Sequence, residues 1–525
     1  MRRLPAFAAA TALVAASSAA AQDHVHPQGD AGRLGRVSFA VSCAAGIQPK
    51  FERAVAMLHS FWFEAADKAF TDIALADSNC ALAYWGRAMT LMGNPMTRSS
   101  PPPDRLRSGL TLATRARELA AGASHREQMY ADAVLAYYRD HDTRDHLTRM
   151  KAHEQAFDAL RRAHPEDMEA AIFYARTVVA NAPPTDQTFA GQLAAAELMQ
   201  PLFDKHPDHP GLAHYLIHAY DAPPIASKGA RAAQAYAGIA PAAPHALHMP
   251  SHIFTRLGYW DESIETNQRS ARAEPDSNAA VHPMDYMVYA YLQQGRQLAA
   301  KDVVDRAVNN PDRFYGGTLG YNFAAMPARY ALEREAWSEA ATLKLPVGGA
   351  AYVRALTHFA RGIGAARGGS ATAAKVEHDS LASLKAQLDR ANDSYWATIV
   401  EAQRLATAAW IALAERDTVR AVRLAGSAAA LEETVEKHPV TPGPILPARE
   451  LEGDMLLQLG RPAEALVAYE KTLTREPRRL RALRGAMLAA VQARRMEAAS
   501  THRAALRDLL SKADPDVRRR YVTGE

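Results

Sequence analysis

The sequence predicts an all-α chain, with helix–turn–helix pairs stacked into a curved α-solenoid. Three observations carry this. Ala, Leu, Arg and Glu dominate, and the β-branched runs that mark strands are scarce. Pro and Gly fall mostly between periodic segments, where they punctuate. Three segments also align with one another: RLGYWDESIETNQRSARAEP (256–275), QGRQLAAKDVVDRAVNNP (294–311) and QLGRPAEALVAYEKTLTREP (458–477).

Each aligned segment has the same physical sense. Gly258, Gly295 and Gly460 end one helix and allow a tight turn. Ser263, Ala300 and Ala465 follow, then Ser270, Ala307 and Thr472, small residues that let two helices approach closely. Pro275, Pro311 and Pro477 stop the second helix. The pattern resembles the tetratricopeptide repeat (TPR), which implies helix pairs of about 34 residues. Helix pairs read through most of 45–510, and the expectation is about nine to twelve of them in one superhelix.

The elements follow in chain order. MRRLPAFAAATALVAASSAAAQD opens with a short basic segment and an Ala-rich apolar run, and Ala19-Ala20-Ala21 fits a cleavage site. Residues 1–21 therefore read as a secretory signal peptide. This predicts a periplasmic or secreted protein. No later run of about 20 apolar residues suggests a transmembrane span. Residues 22–44 read as an N-terminal extension. The first pair spans 47–93, and a long helical tract follows at 125–164. Loops are expected at 94–104, 181–187, 309–321, 345–350, 367–373 and 438–448, with a possible sub-boundary near 345–375. The polar stretch 511–525 is expected to fray.

Cys43 and Cys80 are the two cysteines. An exported chain meets an oxidising compartment, which favours a disulfide over two buried thiols. Cys43 precedes the first helix of a pair and Cys80 follows the second, so antiparallel packing brings them together. The formal net charge of +4 over 525 residues gives no reason to expect nucleic acid or an anionic membrane as partner.

Histidines are concentrated. Seven of the 20 lie between 206 and 252, several times their share by length. HYLIHAYD (214–221) and PHALHMPSHIF (244–254) space them by three and four. With Gly258 and Gly295 marking the turns, and Pro241 the end of the repeat before them, His214, His218, Asp221, His245, His248, His252, His282 and Asp285 all take first-helix positions. In the TPR family such positions line the concave groove. Residues four apart on a helix share a face. The pairs His214/His218 and His248/His252 are therefore expected to supply four imidazoles to one metal ion, with Asp221 or Asp285 ligating or orienting them. Imidazole-rich sites suit Zn, Cu, Ni or Fe.

His245, His282 and Arg329 are expected to be groove residues that meet a protein, peptide or small molecule. Arg329 takes the place of His252 where HMPSHIF is echoed by AMPARYAL (325–332). His206 and His209 sit in a loop and read as incidental. Two other readings remain open for the cluster: direct ligand recognition without metal, and hydrogen bonding that only shapes the superhelix. Pro250 either kinks a groove helix or starts it, which would leave His245 and His248 on the preceding loop.

HYLIHAYD, HMPSHIFTRLGYW and CALAYWG (80–86) are similar to segments of exported bacterial TPR proteins. That resemblance implies an α-solenoid and names no activity. There is no GxSxG elbow, no P-loop, and neither HExxH nor CxxCH. The sequence thus supports a binding protein with a His-rich concave groove. The alternative is a metal-dependent hydrolase or oxidase using His214, His218, His248 and His252.

Overall fold

A computed structural model describes residues 32–274, 280–310 and 317–523. The signal-peptide reading, Pro275 and Pro311 lie outside the described residues. Among those residues there is no strand.

The helices run in antiparallel pairs. They are α1 (Gln48–His59) with α2 (Phe63–Ala76), α3 (Ala81–Met92) with α4 (Pro103–Leu119), α5 (His125–Tyr138) with α6 (His146–Ala163), and α7 (Met168–Asn181) with α8 (Ala190–Lys205). Next come α9 (Pro210–Tyr220) with α10 (Ala230–Ile239), the split helix α11 (Pro244–His248) and α12 (Pro250–Leu257) with α13 (Trp260–Ala273), and α14 (Val281–Gln293) with α15 (Gln297–Val308). The chain continues with α16 (Gly317–Glu333) and α17 (Trp337–Ala341), α18 (Ala351–Arg367) and α19 (Ala371–Arg390), and α20 (Ser394–Ala414) and α21 (Thr418–Glu432). It ends with α22 (Ala448–Gln458) and α23 (Pro462–Arg475), α24 (Leu480–Gln492) and α25 (Met496–Leu509), and a short α26 (Pro515–Arg518). This is a TPR-like α-solenoid.

The turn glycines work as their conformation requires. Gly258 has φ 70° and Gly295 φ 68°, left-handed values that an L side chain strains to adopt. Both also sit where the superhelix touches itself. A Cβ on Gly258 would lie 2.9 Å from the Pro477 carbonyl oxygen, and one on Gly295 2.7 Å from Leu510. The α24–α25 end of the solenoid thus packs against its middle.

Three segments outside the repeats pack as firmly as the helices. Residues 34–39 thread along the first pairs, with Phe39 fully buried against Phe51, Trp85 and Tyr130. The polar tail, rather than fraying, docks: the Leu298 amide donates to Asp514 Oδ2 at 2.8 Å, and Val517 is buried. The 433–447 connection between α21 and α22 crosses the inner face as a strap. Its Glu436 amide donates to the Pro184 carbonyl, its His438 Nε2 meets the Thr97 carbonyl at 3.0 Å, and Thr441 accepts from the Tyr286 hydroxyl.

The strap changes what the groove positions do. Arg329 and Asp285 are both fully buried and paired at 3.2 Å, and Arg329 also donates to the Gly443 and Pro444 carbonyls. Arg329 is a strap anchor, not a residue presented to a partner, and Asp285 is committed to it and to Asn322. A buried pair of this kind is costly to break from one side, about 3–5 kcal/mol. Further along, Glu450 and Asp454 are engaged by Arg479 and Arg481.

Cys43 and Cys80 are bridged, with Cα atoms 4.9 Å apart. Cys80 caps α3, so the bridge ties the threaded N-terminal segment to the second pair. The two cysteines are 37 residues apart. For a loop of that length the chain-entropy model gives about 4 kcal/mol of stabilisation. Replacing both cysteines with serine should lower the chemical-denaturation free energy by up to about 4 kcal/mol, with no change in far-ultraviolet circular dichroism. An unchanged midpoint, or two free thiols by mass spectrometry of the unreduced chain, would remove the bridge from the account of stability.

Candidate metal centre

Six imidazoles meet where α9, α11, α12 and α14 line the inner face. The four expected metal ligands do not form one group. They divide between two triads, each completed by a residue expected only to line the groove. His214, His218 and His245 form one triad, and His248, His252 and His282 the other. Within each triad the ligand atoms all lie within 4.8 Å of one another. The triads adjoin, with ring centroids 5.8 Å apart for His218–His252 and 5.9 Å for His245–His248.

Pro250 does not disrupt this arrangement. It splits the helix formally, yet Met249 keeps right-handed helical angles, and its amide still donates to the His245 carbonyl. His248 and His252 therefore stay on one face, and neither lies on a loop.

Protein acceptors fix the tautomers of three rings. His214 Nδ1 lies 2.6 Å from the His59 carbonyl oxygen. That oxygen belongs to the last turn of α1, where helix carbonyls lack intrahelical donors. His248 Nδ1 lies 2.6 Å from Asn267 Oδ1. The Asn267 amide cannot flip, because its Nδ2 donates to the Ser263 carbonyl. His252 Nδ1 lies 2.8 Å from Asp221 Oδ2. Each partner only accepts, so each Nδ1 carries the proton and each Nε2 carries a lone pair.

The lone pairs face one another. His248 Nε2 and His252 Nε2 are 3.1 Å apart, and neither has a proton to donate across that gap. His214 Nε2 sits 3.2 Å from His245 Nε2. His218 Nε2 and His282 Nδ1 are buried with no hydrogen-bond partner. Two bonds of 2.0–2.1 Å to one ion at an angle of about 100° place their nitrogens about 3.1–3.2 Å apart. The triads therefore fit metal ions.

A proton is a poor substitute for the ion. Burial pushes all six imidazoles below their ordinary range, and neighbouring imidazoles push five of them further. Only His252 has a carboxylate bonded to it. Burial would raise that Asp221 carboxyl, but Lys437 and Arg256 outweigh it and hold it well below the usual range. Asp221 is thus an ionised acceptor that orients His252 and is itself held by Lys437 at 2.8 Å and Arg256 at 3.0 Å.

Aromatic rings close the site. Phe61, in the turn after α1, lies edge-on to His214 at 4.4 Å and stacks on His245 at 5.4 Å. Tyr286 packs against His248, His252 and His282. On the other side a cavity of about 860 Å³ is lined by His218 and Asp221.

A neighbouring buried group differs instructively. Glu169 accepts from His59 Nε2 at 2.8 Å and His209 Nε2 at 2.9 Å. The remaining nitrogens meet the Tyr215 hydroxyl and the Leu212 amide. Every ring nitrogen there has a protein partner, so this network is a buttress beneath His214. His209, which reads as incidental in the sequence, is part of it and caps α9.

Sequence reasoning missed the roles of His245 and His282 as third members, although both share the first-helix register with their partners. It had no signal for Asn267, Phe61 or Lys437, which come from other elements.

No protein-family model matches the chain, and no curated protein matches it. Among solved structures the chain is similar to an IFIT1 monomeric mutant with Gppp-AAAA (TM-score 0.38, 11% identity, covering 88% of this chain and 90% of that one). It is similar to the human IFIT1 dimer with PPP-AAAA (TM-score 0.39, 11% identity, 87% and 89% covered). It is also similar to the APC/C hetero-tetramer Cut9–Hcn1 (TM-score 0.34, 12% identity, 91% and 90% covered). Nothing about the site follows from likenesses of this level.

The depressed imidazoles set a pH dependence. Unfolded histidines titrate near 6.5 and take up protons that the folded rings resist. Their contribution is complete above about 6.5 and is lost as pH falls towards the folded values. His146 and His438, both brought down to about 4, and His153, brought down to about 3, add to the same trend. Metal-free protein should therefore lose stability steadily from pH 7 to pH 5, by up to about 1.4 kcal/mol per pH unit for each such histidine. Urea denaturation at stepped pH measures this. A flat profile would mean the rings already carry protons in the folded state.

Proposed function

We propose that this chain is a metalloprotein of an exported compartment, whose helical solenoid holds two transition-metal ions, one in each histidine triad. The observation that carries this reading is the pair of opposed lone pairs on His248 and His252, 3.1 Å apart with both Nδ1 protons committed elsewhere. Two such lone pairs repel unless a cation lies between them. An all-imidazole donor set suits Zn, Cu, Ni or Fe and not Mg or Ca, which take oxygen ligands. The Cys43–Cys80 bridge supports an oxidising location.

The cavity favours a second, narrower reading, a metal-dependent enzyme. Catalytic metal sites keep an open position, and His218 and Asp221 face a chamber large enough for an organic substrate. A carrier or sensor would have less use for it.

Metal analysis of untagged protein should find two transition-metal equivalents per chain. His218→Ala and His252→Ala should each remove about one of them. Asp221→Asn should weaken binding about 10–100-fold by loosening His252. Should metal fail to bind under any loading condition while His218→Ala unfolds the chain, the cluster is a structural core and the reading fails.

A further inference from the structure

The chamber beside His218 has a far wall, where Arg98 stands with no carboxylate in ion-pair contact among the described residues. We infer that this cavity binds an organic oxyanion, a carboxylate or a phosphoryl group, anchored on Arg98 and extending towards His218. For the reactive end of the ligand this rests on the metal reading. The anchor does not.

Arg98 is held in place. Asn94 caps the short 95–97 turn, and Arg98 follows at φ 54°, a left-handed conformation that costs a non-glycine residue about 1–2 kcal/mol. Its Nη1 donates to the Ala182 carbonyl at 2.9 Å. Among the described residues no carboxylate pairs with it, and burial pushes the guanidinium down. A partly buried guanidinium without a carboxylate is unusual, because its desolvation goes uncompensated.

The surroundings share the same deficit. His146 Nε2 and Gln192 Oε1 line the cavity, buried and without a hydrogen-bond partner. Burial, then Arg149 and Arg98, bring His146 down to about 4, so it is neutral at pH 7. Arg149 lies behind, 2% exposed, holding Ser100 of the cavity wall at 3.0 Å.

The acids of the wall are spent elsewhere. Asp145 caps α6 through Thr148. Asp393 caps α20. Asp221 and Glu436 belong to the Arg256, Lys437 and Arg475 network. An oxyanion at Arg98 would supply the ion-pair partner it lacks and, through a bidentate contact, use the planar fork of the guanidinium. Phe189 and Trp396 give the rest of such a ligand an apolar wall.

The test uses the full chain, metal-stripped and metal-loaded, and calorimetric titration with benzoate, its neutral isostere benzamide, and inorganic phosphate. Benzoate should bind at least about tenfold more tightly than benzamide. Arg98→Gln should erase that preference while the melting temperature holds. Phosphate should displace benzoate from wild-type protein, a result that needs no variant. If phosphate binds the tighter of the two, the anchor serves a phosphoryl group; if benzoate does, a carboxylate. Equal binding of benzoate and benzamide, or a preference that survives Arg98→Gln, would overturn the inference. Benzoate binding that needs metal and ignores Arg98 would also overturn it, leaving the metal reading intact. Arg98-dependent binding in a chain that never takes up metal would sustain the anchor and sink the metal reading.

Discussion

A neutral imidazole has one proton, and in this protein's core the position of that proton governs the rest. Three rings, His214, His248 and His252, give theirs to a carbonyl, an amide oxygen and a carboxylate. What remains on each is a lone pair turned inward. Acceptors of this kind come from distant parts of the chain: the end of α1, the middle of α13, and the end of α9. Stacking the pairs in register is what assembles them, so the solenoid serves the site by bringing helix ends and faces together.

The same logic separates this cluster from other buried polar groups. His59, Glu169 and His209 also lie together in the core, but their donors and acceptors match. Arg329 and Asp285 match, as do Arg479 and Glu450. Such satisfied networks stiffen a solenoid whose inner face is crossed by its own strap. A satisfied network needs nothing more, whereas the six-histidine cluster and the Arg98 wall each leave atoms unmatched. Buried polar groups without partners cost about 1–3 kcal/mol each, and at these two adjoining places several such atoms face the same space.

Much of the fold was legible from sequence because helix pairs are local. Gly258 and Gly295 mark turns, and the small residues opposite them mark close crossings. Helical register also placed His214, His218, His248 and His252 on the inner face. Register says which way a side chain points but not what lies in front of it. Arg329 and Asp285 hold groove positions and are covered by the strap, a segment with no periodicity to announce its path. The division into two triads was equally hidden, since it depends on how α9, α11 and α14 are offset along the superhelix. His245 and His282 stood in the right register and lacked only a partner four residues away.

The central claim is that the two triads hold metal ions instead of hydrogen-bonding among themselves. Anomalous diffraction from crystals of the metal-loaded chain, collected at the absorption edge of the bound metal, addresses it directly. The expected map has two peaks, one about 2.0–2.1 Å from the Nε2 atoms of His248 and His252, the other at the same reach from His214 and His245. A map without a peak in either triad, from crystals soaked to saturation with Zn, Cu, Ni and Fe in turn, would contradict it.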